Sequence, residues 1–189
     1  MKIIQILILF AAVMLTSCSL KKSAKITATT DRGVIEVLKL TTDISGLSTT
    51  SAIIKTVHGD VTFRFYTKAA PRTSSRIIEL IQNKFYDGMI FHRAIPNFII
   101  QTGDASISGR APEKFAPEFN ELQHIKGTIA MARGIAKDSA DTQFYISLTT
   151  LPHLDGKYTI FGQVVEGLDV LPKLAKGDRI LSITLNIKN

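Results

Sequence analysis

The sequence predicts a mainly β domain, an antiparallel barrel capped by helices. Three observations point there. From Ala52 onward the chain carries about eight short strand-like runs. Most are joined by turns and loops, with no helix between successive strands, which argues against a doubly wound parallel sheet. Only two stretches show helical spacing. At 189 residues the chain fits one domain, or one domain with an appendage. A core of that size needs no disulfide or metal staple.

The elements follow in order. Ala52–Val57 and Val61–Tyr66 are β-rich runs separated by His58-Gly59-Asp60, a hairpin signature because glycine accepts the positive φ of a tight turn. Pro71 opens a helix at a position where its missing N–H costs nothing. Ile77, Ile78, Ile81 and Phe85 recur at helical spacing, which buries one face, and Asp87-Gly88 stops the helix. Short strands are expected at Ile90–Ala94, Phe98–Thr102, Gly127–Met131, Phe144–Ser147, Thr159–Val165 and Ile180–Ile187. Phe91, Phe144 and Phe161 are assigned to the core. A second short helix fits Leu168–Ala175, with Pro172 inside it to distort or shorten it.

The amino terminus has a different character. In Met1–Ser17 thirteen of seventeen residues are apolar, and Lys2 is the only charged side chain. The unbroken apolar run Ile6–Leu15 has ten residues, against the roughly 20 that a helix needs to cross a bilayer. It matches the h-region of a secretory signal. The run ends in Leu15-Thr16-Ser17-Cys18, which resembles the lipobox of bacterial lipoproteins, where the cysteine becomes the first mature residue and carries lipid. Acyl chains partition into a bilayer at about 0.8 kcal/mol per buried methylene. The expectation is an exported bacterial protein, lipid-anchored through Cys18 to the cell membrane or outer membrane, its domain facing the periplasm or the exterior. Residues 18–51 then form a tether. Thr41–Ser51 has seven Ser or Thr in eleven positions, while Val34–Leu40 is either an added strand or part of a spacer. Residues 52–189 form the folded domain.

Several chemistries lack their residues. One cysteine allows neither an internal disulfide framework nor a Cys-rich zinc site. His58, His92, His124 and His153 show no i,i+4 pairing, and there is no Gly-rich phosphate loop and no GxSxG elbow. No metal and no cofactor are expected. The formal net charge of +7 becomes +6 once Lys2 leaves with the signal, and it is scattered, so nucleic acid is not an expected partner.

One block is dense in special residues: Phe91-His92-Arg93-Ala94-Ile95-Pro96-Asn97-Phe98-Ile99-Ile100-Gln101-Thr102-Gly103-Asp104. Two strands around a Pro-Asn turn explain its outline. Arg93 and Gln101 are the oddities, polar among apolar neighbours. The block resembles the signature of the cyclophilin family of peptidyl-prolyl cis-trans isomerases. Gly127–Arg133 with Thr142–Ser147 resembles the family's middle motif, and Leu154–Gly162 continued by Gln163–Leu168 resembles its late motif. The likeness runs from about Ala52 to the C-terminus.

The resemblance implies a cyclophilin-like closed eight-stranded antiparallel β-barrel capped by two helices, with a packed interior and an active-site groove outside. It makes Arg93 the catalytic arginine. Phe98, Ile99, Tyr145 and Leu154 become the wall of a proline pocket. Gln101 and Gln143 fall where the family hydrogen-bonds the substrate backbone. Ala132 and Arg133 line the neighbouring subsite, and His92 and Tyr158 join the groove. The implied partners are proline-containing unfolded or flexible polypeptides, met by a monomer.

The residue types make physical sense without the family. Rotation about a peptide C–N bond faces a barrier of about 18–20 kcal/mol, set by resonance. No bond breaks, so neither nucleophile nor acid–base pair is needed. A guanidinium offers rigid N–H donors and stays charged. Arg93 can donate to the prolyl nitrogen, whose lone pair localises only as the bond twists, which is preferential binding of the transition state.

Departures from the family pattern carry expectations of their own. Tyr145 stands where Phe is frequent, so its hydroxyl must find a partner. His153 replaces a common Trp that in the family helps bind cyclosporin, so weaker drug binding with catalysis largely kept is expected. Tyr158 stands for a frequent His. Arg133 stands for a common Asn, which adds a cation at the groove edge and an expected taste for acidic flanking residues. Two rival readings use the same groove: a module that holds proline segments with incidental turnover, and a general holdase chaperone.

Overall fold

A computed structural model describes residues 49–104, 114, 116–136 and 139–186. The signal, Cys18, the strand-like run Val34–Leu40 and most of the tether lie outside the described residues, as does nearly all of the loop Ser106–Lys114.

The described chain forms β1 (Ser51–Thr56), β2 (Gly59–Phe65), α1 (Pro71–Gln82), β3 (Arg93–Ile95), β4 (Ile99–Thr102), β5 (Thr128–Met131), β6 (Phe144–Ser147), β7 (Ile160–Glu166) and β8 (Ile180–Asn186). The strands make one eight-stranded sheet in the order β3-β4-β6-β5-β7-β2-β1-β8, and each strand pairs antiparallel with its neighbours. The β1–β2 turn is tighter than expected. Thr56 pairs with Gly59, whose φ is +128°, and the Thr56 hydroxyl donates to the Gly59 carbonyl at 2.7 Å.

Helix α1 begins at Pro71 and buries Ile77, Leu80 and Ile81. It ends at Gln82, earlier than Asp87-Gly88, because Lys84 turns left-handed at φ 54°. Phe85 is still buried, in the turn beyond the helix rather than on it. The helix start has no local side-chain cap. The carboxylate of Glu118 fills that place, accepting from the backbone N–H groups of Arg72 and Thr73 at 3.0 and 2.7 Å.

Three expectations need correction. Ile90–Ala94 is not one strand: Ile90 makes an isolated bridge to Arg179, and β3 starts only at Arg93. Leu168–Ala175 is not an α-helix but holds a single 3-10 turn, Leu171–Lys173, because Pro172 has no N–H to continue a ladder. Among the described residues α1 is the one α-helix. Among the described residues no strand ladder closes the sheet. β3 and β8 are its edges, and the Gly88–Phe91 segment meets Gly177–Ile180 through the bridge and four backbone hydrogen bonds of 2.8–2.9 Å. The three-residue β3 is too short and its approach too irregular to complete the ladder.

The pleat sorts side chains into two apolar clusters. On β5 and β6, Ile129, Met131, Phe144 and Ile146 enter the larger cluster, with Phe63, Phe65, Phe91 and Phe161. The intervening Ala130 and Tyr145 enter a smaller cluster with Ile99, Ala132 and Ile160. Phe98, Leu154 and Tyr158 pack over this second cluster.

Candidate active site

Strand register builds the site. Arg93 is opposite Gln101, Gln101 opposite Tyr145, and Tyr145 opposite Ala130. One row thus crosses β3, β4, β6 and β5, each strand about 4.8 Å from the next. The exposed guanidinium, the half-buried amide and the buried aromatic ring therefore stand in sequence on one face.

That row opens on a groove of about 200 Å³. Phe98, Ile99, Ala132, Tyr145 and Leu154 make its apolar lining, and Arg93, Gln101, Arg133 and Tyr158 bring the polar groups. Nine of the eleven residues singled out in the sequence thus line one hollow. The other two stand beside it. Gln143 accepts a hydrogen bond from the Gln101 side-chain amide at 2.9 Å and so orients it. His92 is half-buried, and its buried Nδ1 has no hydrogen-bond partner among the described residues.

Backbone approach fixes the β4 end of the groove. Gly103 has φ +86°, and a Cβ there would stand 2.4 Å from the Thr142 carbonyl oxygen. The Thr142 hydroxyl donates to the Gly103 carbonyl at 2.7 Å, and the Tyr86 hydroxyl donates to the Thr142 carbonyl at 3.0 Å. The loop carrying Gln143 is thereby tied to the strand carrying Gln101.

The cations at the rim differ. Arg133 is held: its Nε donates to the Lys157 carbonyl at 3.2 Å, and its guanidinium lies 5.0 Å from the centre of the Tyr158 ring. Arg93 lies exposed on its edge strand, beside Gln101. His153 stacks on Phe98, with ring centres 6.0 Å apart and planes 8° from parallel.

Behind the groove lies an arrangement that the sequence did not reveal. The Tyr145 hydroxyl is 2.8 Å from Nε2 of His124, a fully buried ring. His124 Nδ1 is 2.8 Å from Asp155 Oδ1, which also accepts the His124 backbone N–H at 2.7 Å. An ionised carboxylate only accepts, so Nδ1 carries the proton, and neutral Nε2 accepts from the tyrosine. Burial pushes the His124 pKa down, against the raising pull of Asp155, and keeps the ring neutral. Burial also pushes the Tyr145 phenol up, with Tyr158 and Asp155 adding to the effect, so it stays a donor. The signal for this chain was the tyrosine itself, whose hydroxyl required a partner.

Replacing Tyr145 by phenylalanine keeps the ring and removes that bond. The expected result is a stability loss of about 1–2 kcal/mol in urea unfolding, because Nε2 loses its donor. Turnover should stay within about threefold of wild type, because the hydroxyl is committed to His124.

A family model described as "Cyclophilin type peptidyl-prolyl cis-trans isomerase/CLD" matches residues 51–187. The chain belongs to the cyclophilin family. A peptidyl-prolyl cis-trans isomerase of Synechococcus elongatus is 39% identical to this cyclophilin over 140 residues, covering 72% of this chain and 96% of that protein. One from Helicobacter pylori is 37% identical over 144 residues, covering 73% and 88%. The crystal structure of a Cryptosporidium parvum cyclophilin type isomerase superposes with a TM-score of 0.67 at 28% identity, covering 74% of this chain and 99% of that one. A second structure of the same protein, in the presence of the dipeptide Ala-Pro, gives 0.67 at 27%, covering 73% and 99%.

Proposed function

We propose that this cyclophilin accelerates rotation about X–Pro bonds of unfolded or flexible polypeptides, with Arg93 as the catalytic donor. The observation that carries the reading is the row Arg93–Gln101–Tyr145 at the mouth of an apolar groove. The proline ring enters among Phe98, Ile99, Tyr145 and Leu154. Gln101, held by Gln143, takes the backbone on one side of the bond. Arg93 then donates to the prolyl nitrogen as resonance is lost, a contact the planar isomers do not offer. A gain of about 10⁵ in rate corresponds to about 7 kcal/mol, shared between this donor and positioning in the groove.

A protease-coupled assay on a short proline peptide tests the reading. Acceleration supports it. Capture of the peptide without acceleration marks a binding module, and suppressed aggregation of proline-free clients alone marks a holdase.

Two finer expectations join the proposal. The segment Met1–Ser17 followed by Cys18 supports export and lipid anchoring in a bacterial envelope, with residues 18–51 as the tether and 52–189 as the enzyme domain. Cys18→Ser should abolish incorporation of labelled palmitate and shift the protein from the membrane to the soluble fraction of a bacterial host. Full membrane retention without label would contradict the anchor. For the drug, His153→Trp should tighten cyclosporin binding roughly tenfold, as an added indole donor and its contact area would. Isothermal titration of both proteins measures it.

A further inference from the structure

A second hollow, of about 400 Å³, lies on the other side of the β3–β4 ribbon. The pleat accounts for it. Arg93 and Gln101 face the groove, whereas the next pair in register, Ala94 and Ile100, faces this hollow. Ile100 and Leu174 of its lining belong to the larger apolar cluster, and Ala94 and Leu148 pack on that cluster. The hollow is thus a mouth of the main core. Ile95, on its wall, is 37% exposed.

Its charge has one sign. Lys126, Lys173 and Lys176 line it, all three exposed, and among the described residues no carboxylate lines it. Lys173 is 3.3 Å from Asp169, in a pair open to solvent on both sides, a kind of pair that holds its partners weakly.

We propose that this hollow is a docking site for an acidic polypeptide segment that inserts an apolar side chain. Charge complementarity sets the sign, and shape sets the class of partner. The apolar surface lies inside a concavity and the ammonium groups at its rim. A bilayer is flat on this scale and meets what protrudes, whereas a peptide can send one side chain inward and keep carboxylates outside. β3 and β4 wall both hollows, so a client held here stays beside the groove.

The test uses the full chain and two fluorescein-labelled, proline-free peptides: leucine flanked by glutamates, and the same with glutamines. Fluorescence polarisation should show the acidic peptide binding roughly tenfold more tightly at low salt. The difference should fade above 0.1 M salt, where the Debye length falls to about 10 Å. The triple variant K126E/K173E/K176E should lose that preference yet turn over a short neutral proline peptide as wild type does, which also reports its folding. If the reversal impairs turnover, K126Q/K173Q/K176Q is used, with the same loss expected. Equal binding of both peptides overturns the proposal, as does unchanged acidic binding in the lysine variants. Lysine-dependent binding to phosphatidylglycerol vesicles without lysine-dependent peptide binding overturns it too.

Discussion

Replacing Arg93 by alanine lowers kcat/KM for a short proline peptide by about 10²–10³, the usual consequence of removing one preorganised donor from a developing charge. The fold should not register the change. Arg93 is exposed on a three-residue edge strand, and surface substitutions away from caps and networks usually stay within about 0.5 kcal/mol. Peptide affinity should change little, because Phe98, Ile99, Tyr145 and Leu154 still receive the ring. The loss falls on kcat, the mark of an interaction made in the transition state. Arg93→Lys keeps the charge but not the planar fork, so it should recover only part of the rate.

Replacing His124 by alanine should cost about 3–5 kcal/mol in urea unfolding. It deletes a fully buried ring and leaves the Tyr145 hydroxyl without its acceptor. A double-mutant cycle separates the two causes. In the alanine background, Tyr145→Phe should cost almost nothing or restore stability, because the orphaned hydroxyl goes with it. Additive losses would show that the bond contributes nothing.

The same ring sets a pH dependence. His124 faces Asp155, Tyr145 and Tyr158, with His153 nearby. Its folded pKa lies below its unfolded value of about 6.5. Below 6.5 the unfolded chain therefore binds the proton first, and stability falls with pH until the folded pKa is passed. Protonation also turns Nε2 into a donor facing a donor. His124→Ala should flatten this part of the stability profile. Glu118 acts lower down. Burial works to raise its carboxyl, but hydrogen bonds from Thr73 and Arg72 overcome that and hold it below the ordinary range. Its contribution is present above the ordinary carboxylate pKa and fades as pH falls through the folded one.

The likeness of Phe91–Asp104 and the later motifs to the cyclophilin family made Arg93, Gln101 and Tyr145 legible in advance as site residues, while the register that aligns them was not. In the stretch Phe91–Asp104, Arg93 and Gln101 are polar where their neighbours are apolar, and pleating placed them together against Tyr145. The hairpin at Gly59 and the helix at Pro71 were legible for similarly local reasons of φ and missing N–H. Contacts over long loops were not. His124 reaches Tyr145 across 21 residues and Asp155 across 31, and no periodicity spans such gaps. Nor could strand counting show whether the edges meet, because that depends on the irregular path from Met89 to His92. The second helix failed through a residue already in view, Pro172, whose effect on so short a segment was decisive.

The most direct test is NMR exchange between the cis and trans forms of an Ala-Pro peptide at equilibrium, with the full wild-type chain and with Arg93→Ala. Fast exchange is expected with wild type, near-uncatalysed exchange with the variant, and similar bound fractions for both. Bound peptide that exchanges no faster with wild type than free peptide, or a variant that accelerates exchange equally, would contradict catalysis by Arg93.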